Sequence, residues 1–297
     1  MKTHNFGYWQ TPDEMPTQGA VLLDDLAVVR ASGDDAESFL HGQFTNHINV
    51  LGNAFRLAAY CQPQGRILAL MRVFKLEEHF YLILPRDLLA GFLKRLSMFI
   101  LRSHVQLEEA TDLKVMGLIN PTVDLPALDT HTQHWPVVAR VADFENTKRA
   151  MAVGTADQLQ SLMTGTMTAA HWYASDIAAG IPWVCESTKE AFVPQWINLD
   201  LIGGLVFDKG CYPGQEVISR VQHIGKTPRR MASMVLHADS EVIANTEVKV
   251  GDAVVGNVVM ASSVAGKTYC LVEATTKALQ ENQLLINGAK LMPLTTN

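Results

Sequence analysis

The hydrophobic pattern changes character near residue 230, and this change constrains the fold more than any other feature of the chain. Before it, apolar runs of period two alternate with segments of helical period, the pattern of mixed α and β structure. After it, only short Val- and Leu-rich runs remain, at 231–237, 253–260, 268–274 and 283–286, separated by Gly, Asn and Asp. A tail of about 65 residues built this way predicts a small antiparallel β-barrel or sandwich.

Within the first part, 20–31 reads as a strand ending at Ser32-Gly33. Asp34 and Glu37 make a capping-box pattern, and Phe39, Leu40, Phe44 and Ile48 extend a helical spacing toward Gly52. Residues 54–61 read as a strand. Gln62-Pro63-Gln64-Gly65 reads as a turn, and Arg66 to Leu76 with Phe80 to Leu84 as a hairpin around Glu77-Glu78, which is poor turn chemistry. Pro85 opens the clearest helix, with Leu88, Leu89, Phe92, Leu93, Leu96, Phe99 and Ile100 on one face. Strands are expected near 104–109, 113–119, 137–142 and 150–153, with a loop at 120–136. Helices are expected near 155–163 and 168–179, the second stopped by Gly180 and Pro182. From Ile181 to Arg230 the periodicity fades and glycines punctuate the chain; long irregular stretches of this kind are often functional.

Composition removes several function classes. The chain has 297 residues, with 24 Lys+Arg against 30 Asp+Glu and a net charge of −6. Proteins that grip nucleic-acid phosphates carry a basic excess or stripe, so direct nucleic-acid binding is not expected. Cys61, Cys185, Cys211 and Cys270 are widely spaced, with no CxxC and no zinc or iron–sulfur ligand spacing, so no metal site is expected. They read as reduced thiols. The polar start, Met1 to Met15, lacks a signal-peptide core, and no apolar run is long enough to span a membrane. A cytoplasmic protein is expected. GxxxxGK[ST], HExxH, GxSxG and a helix-opening GxGxxG are all missing, which disfavours nucleotide-phosphate enzymes and zinc hydrolases.

One motif is specific: Asp208-Lys209-Gly210-Cys211-Tyr212-Pro213-Gly214-Gln215-Glu216. Gly210 and Gly214 flank the thiol and permit close backbone approach. Pro213-Gly214 is a type II turn signature. Lys209 and, further on, Arg220 are cations of the kind that make a thiol nucleophilic. Gln215 and Glu216 are suited to anchoring the loop or meeting the polar edge of a ligand. The plainer alternative is that Cys211 is a small buried hydrophobe in a glycine-rich turn.

The Lys-Gly-Cys-Tyr-x-Gly-Gln-Glu string resembles the signature of the YgfZ/GcvT-like family, folate-binding proteins related to the aminomethyltransferase of the glycine cleavage system. Leu23-Asp24-Asp25, Leu40 to Asn46, Pro63 to Leu68, Trp172 to Pro182 and Phe192 to Asp200 also look like family segments, in the same order. The resemblance implies an α+β fold: a three-domain cloverleaf with two interleaved α+β domains and a C-terminal antiparallel β-barrel. The implied boundaries are 18–52 with 115–170, 53–114 with 171–228, and 229–297. It implies tetrahydrofolate or a folate derivative as cofactor and Trp172 as the residue that stacks on the pterin. Leu26 stands where close relatives carry a tryptophan, so one face of the pterin site would be aliphatic. Gln64 and Arg66 are candidates for the folate tail, because a guanidinium pairs with a carboxylate through a fork. Lys226, Arg229 and Arg230 are either a second tail site or a solvated linker. Trp9, Trp135, Trp183 and Trp196 read as ordinary structural residues.

Function follows from the same resemblance. In the aminomethyltransferases a pair of aspartates stands where this chain has Ala69 and Leu70, neither able to act as a base. The leading expectation is a folate-binding accessory protein with a reactive Cys211. It would support the assembly or maintenance of iron–sulfur enzymes, such as tRNA-thiolating proteins, and tRNA modification only indirectly. The alternative is a folate-dependent C1-transfer enzyme or demethylase, for which Asp24, Asp25 and Glu216 are the available carboxylates. A non-catalytic scaffold and a direct tRNA binder are further alternatives.

Overall fold

The computed structural model describes residues 8–223, 227–237 and 241–294. In chain order the early strands are β1 (Tyr8–Thr11), β2 (Gly19–Leu22), β3 (Leu26–Ser32), β4 (Arg56–Cys61), β5 (Ile67–Leu76), β6 (His79–Pro85), β7 (Gln106–Glu109), β8 (Lys114–Ile119), β9 (Val137–Phe144) and β10 (Thr147–Gly154). The later ones are β11 (Arg229–Leu236), β12 (Glu247–Val250), β13 (Ala253–Val264), β14 (Lys267–Thr275), β15 (Leu285–Ile286), β16 (Ala289–Lys290) and β17 (Met292–Pro293). The helices are α1 (Ala36–His41), α2 (Leu89–Ser97), α3 (Ala156–Gln160), α4 (Ala169–Ala178), α5 (Gln215–His223) and α6 (Thr276–Glu281).

These strands form three sheets. A five-stranded sheet has the order β4-β5-β6-β3-β7, and a four-stranded sheet the order β2-β8-β10-β9. An eight-stranded sheet runs β16-β15-β12-β13-β14-β11-β17, with β1 added in parallel to β13. The ends of that path, β16 and β17, are separated by Leu291 alone, so the sheet curls into a nearly closed barrel. Residues 19–22 and 26–32, read from sequence as one strand in one segment, are two strands in two different sheets.

The five-stranded sheet is covered on both faces. Along β3, Leu26 and Val28 face one buried cluster, while Ala27 and Val29 face another that includes Leu89, Phe92 and Leu96 of α2. That double burial explains why 67–76 is apolar almost without interruption rather than alternating. The β5–β6 hairpin closes with Leu76 opposite His79, so Glu77-Glu78 is the turn, and Glu77 takes the left-handed conformation at φ 54°. α4 is buried from Ala170 to Ala178, as a helix packed on several sides must be. Gly180 follows at φ 70°, the left-handed stop expected from the sequence.

Further local expectations are corrected. The capping box of Asp34 and Glu37 does not form: Asp35 is the residue before α1, and its Oδ2 accepts from His104 N at 2.7 Å instead of capping the helix. The helix that the sequence extends to Ile48 ends at His41, because Thr45 and Asn46 bond instead to Ala59, Leu57, Gly203 and Gly204. The helix after Pro85 begins with a short 3-10 turn, Arg86–Leu88, and stops at Ser97, leaving Phe99 exposed. The stretch read as irregular holds α5. The tail is not purely β, since α6 follows β14.

Candidate functional site

Two loops that the sequence separates by about 150 residues of chain meet backbone to backbone, a contact no local pattern encodes. In the first, Gly65 N donates to Gln62 O at 2.8 Å, and Gly65 sits at φ +77°. In the second, Gln215 N donates to Tyr212 O at 3.2 Å across Pro213-Gly214, with Gly214 at φ +84°. This is the type II geometry the dipeptide predicts. A Cβ on Gly214 would lie 2.6 Å from Gln62 O and 2.9 Å from Gly65 Cα. A Cβ on Gly65 would meet Ile218 and Val217 of α5 at 3.3 Å. The Gln62–Gly65 turn therefore seats on the start of α5, and the motif loop is fixed against it.

Cys211 projects from this loop into solvent, whereas Cys61, Cys185 and Cys270 are buried. Burial pushes the Cys61 and Cys270 thiols up, which keeps them inert. The plainer reading of Cys211 as a buried hydrophobe does not hold. Gly210 beside it has open space around it, and Glu216 is exposed and pairs with Arg220 at 3.1 Å on the surface of α5.

Lys209 has a different position from the one its neighbourhood in sequence suggests. Its side chain turns inward, and Nζ donates to the carbonyls of His41 and Phe44 and lies 4.8 Å from the Tyr212 ring centroid. Burial lowers its pKa to about 8. Lys209 thus clamps the motif loop to the α1 end, and Gln215 Nε2 adds a bond to Lys209 O at 3.4 Å. Arg220 is engaged with Glu216. Next to the loop, Asp208 Oδ1 pairs with His47 Nε2 at 3.0 Å, which lowers the Asp208 pKa. The His41 ring lies 5.9 Å from His47. Burial first, then Lys209 and His47, lower the His41 pKa. Among the described residues, no three His, Cys, Asp or Glu side chains converge as a metal site.

The residues expected to hold a pterin divide. Trp172 is fully buried: Gly117 packs so closely that a Cβ there would come within 2.5 Å of the indole. The Arg149 guanidinium lies 4.5 Å from the ring centroid and is ion-paired with Asp176. In this conformation Trp172 offers a flat ligand no open face. Leu26 is likewise a core residue, 2% exposed. Gln64 is exposed at the tip of its turn. Arg66 is held by Ala191 O at 2.6 Å and stacks 4.6 Å over Trp196, which also meets Arg229 at 5.2 Å.

Arg229 and Arg230 are not a solvated linker. Arg229 forks onto Glu273, and Arg230 forks onto Asp200 at 2.6 and 2.9 Å. Lys226 lies outside the described residues.

A second polar site was not legible. Asp25 accepts from Tyr173 Oη at 2.7 Å through one oxygen and from Trp9 Nε1 at 2.8 Å through the other. Trp9 stacks on Tyr173 at 3.6 Å between centroids, with an interplanar angle of 22°. Burial raises the Asp25 pKa, and the Tyr173 and Trp9 hydrogen bonds oppose that rise. Trp9 is therefore a polar-site residue rather than plain structural bulk. The only sequence hint was Asp25 itself, within Leu23-Asp24-Asp25. A buried carboxylate beside an aromatic face suits a flat heterocycle with N–H donors on its edge, and a pterin is such a group.

No family model matches the chain. Its relatives include the tRNA-modifying protein YgfZ of Photorhabdus laumondii subsp. laumondii, 31% identical over 228 residues, which span 71% of this chain and 69% of the relative. The tRNA-modifying protein YgfZ of Klebsiella pneumoniae is 30% identical over 272 residues, 81% of each chain. Among solved structures, the glycine cleavage system aminomethyltransferase T from Bartonella henselae superposes with a TM-score of 0.72, covering 96% of this chain and 86% of that one. At 11% identity this likeness speaks to the fold alone. With relatives at this identity aligned along most of its length, the chain belongs to the YgfZ family.

Proposed function

We propose that this protein is a folate-binding accessory protein that acts through the Cys211 thiol. In this reading it supports the assembly or maintenance of iron–sulfur enzymes and, through them, tRNA modification. The observation that carries the reading is the position of Cys211: the one exposed cysteine among the described residues, on a loop braced from behind by Gly65, Gly214 and Lys209. The names of its relatives support the link to tRNA modification. The net charge of −6 favours partner proteins over direct contact with RNA.

Folate, when bound, supplies a carrier for one-carbon groups. In this reading Asp25 accepts N–H donors from the pterin edge, and Tyr173 offers the ring on which it stacks. Base–aromatic stacking of this kind contributes about 1–3 kcal/mol. Each of the three sheets is taken as the centre of one domain of a cloverleaf, with the barrel from 229 onward. β3 and α1, which the 18–52 with 115–170 boundary groups with β8–β10, then belong with the five-stranded sheet, because β3 pairs with β6 and β7 and α1 packs on that sheet. C1 transfer is the weaker reading, because Ala69 and Leu70 are buried apolar residues of β5 and supply no base.

The test is complementation of a strain lacking its YgfZ-family gene, scored by thiolated tRNA nucleosides, with folate binding measured on the same purified variants. Cys211→Ser should lose complementation and keep folate affinity. Full complementation by Cys211→Ser would remove the thiol from the function.

A further inference from the structure

Among the described residues, strand β1 is four residues long and pairs with residues 261–264 of β13, with one further bond from Ala265 N to Thr11 O at 3.1 Å. Residues 12–18, between it and β2, form no helix or strand. The specific contacts of its Trp9 include the stack on Tyr173, the N–H bond to Asp25, and its place in the β1–β13 ladder opposite Ser262. The first two are the contacts that a flat bicyclic heterocycle with an edge N–H would make. An indole is itself such a heterocycle.

We propose that Trp9 is an intramolecular occupant of the pterin site, held there by β1, and that ligand entry requires it to leave. This rests on the folate reading above and adds its regulation. The geometry favours exchange over a permanent plug. Withdrawing β1 breaks four residues of pairing and the Ala265 N–Thr11 O bond and exposes Thr11, while β13 keeps its ladder with β14. The site then presents the Asp25 oxygen that Trp9 had held and the Tyr173 ring face on which Trp9 had stacked, the other Asp25 oxygen still held by Tyr173 Oη. A site that is closed most of the time binds with an affinity reduced by the open fraction. The full chain should therefore bind folate weakly, and removal of the indole should strengthen binding.

Calorimetry of the full chain with 5-formyltetrahydrofolate as probe tests this, using wild type, Trp9→Ala and Trp9→Ala/Asp25→Asn. Trp9→Ala should bind at least about tenfold more tightly than wild type, the factor by which a tenfold rise in open fraction lowers the apparent Kd. The double variant should lose that gain. Equal or weaker binding by Trp9→Ala, with wild type still binding, overturns the occupant proposal and leaves the folate reading standing. Binding by neither overturns both. A second measurement needs no destabilised variant. The tryptophan fluorescence present in wild type and missing from Trp9→Phe should become more quenchable by acrylamide on adding the ligand. Unchanged quenching overturns the proposal.

Discussion

Gly65 and Gly214 are in backbone contact: the Cα of the first lies where it would stand 2.9 Å from a Cβ on the second. Each has a positive φ, and each belongs to a turn that also contains a proline. Neither turn can shift without the other. The contact thereby couples the start of β5 to the start of α5, the helix that follows Cys211.

Gly214→Ala should therefore be costly. The left-handed backbone alone disfavours a Cβ by roughly 1–2 kcal/mol, and the clash with Gln62 O and Gly65 adds to it. Gly210→Ala is the control, since a Cβ there meets nothing within 4 Å. It should change stability by less than about 0.5 kcal/mol. Urea denaturation of the two variants checks both values. Equal stability losses would refute the coupling of the two turns.

Lys209 gives a pH signature. Its pKa falls to about 8 in the folded chain from an ordinary 10.5. Between those values the unfolded chain holds a proton that the folded chain has released, so stability rises with pH across that window. Below about 8 both states are protonated, and the contribution is constant. The slope is at most about 1.4 kcal/mol per pH unit. Urea midpoints at pH 8, 9 and 10 should rise for wild type relative to Lys209→Met. Parallel curves would show that the Lys209 ammonium is not desolvated.

What was legible in the sequence follows how local each feature is. The Tyr212–Gln215 turn and the stop at Gly180 depend on dihedral demands of one or two residues, and both came out as read. Residues 44–48 failed because Thr45 and Asn46 bond to strands and loops distant in sequence, which outweighs helical spacing. α5 was hidden by the glycines before it, although Glu216 and Arg220 at i and i+4 were an available signal. Lys209 and Trp172 show the larger difficulty. A cation two residues from a cysteine can be held by backbone carbonyls of another segment, and a family tryptophan on a helix can be covered. The carbonyls of His41 and Phe44 and the backbone of Gly117 decide these outcomes, and no pattern near either residue encodes them.

Trp172 should behave as a core residue. Trp172→Ala should destabilise the fold by about 3–5 kcal/mol, the range for deleting a buried indole. Trp172→Phe should fold and bind 5-formyltetrahydrofolate within about twofold of wild type, a difference of under 0.5 kcal/mol. A loss of affinity with unchanged thermal stability would return Trp172 to the ligand site.

The cysteines give the most direct check on the site itself. The chain has four, and the structure exposes one of them, with three inside packed clusters. Reaction of a buried thiol must wait for local or global opening, whose population in a stable domain is small. Native protein treated with a chromogenic disulfide reagent should release one equivalent of thiol rapidly and the rest only after denaturation. Cys211→Ser should release none in the rapid phase. A second rapid equivalent in the wild-type chain would mean that Cys61, Cys185 or Cys270 is accessible. The assignment of chemistry to Cys211 alone would then fail.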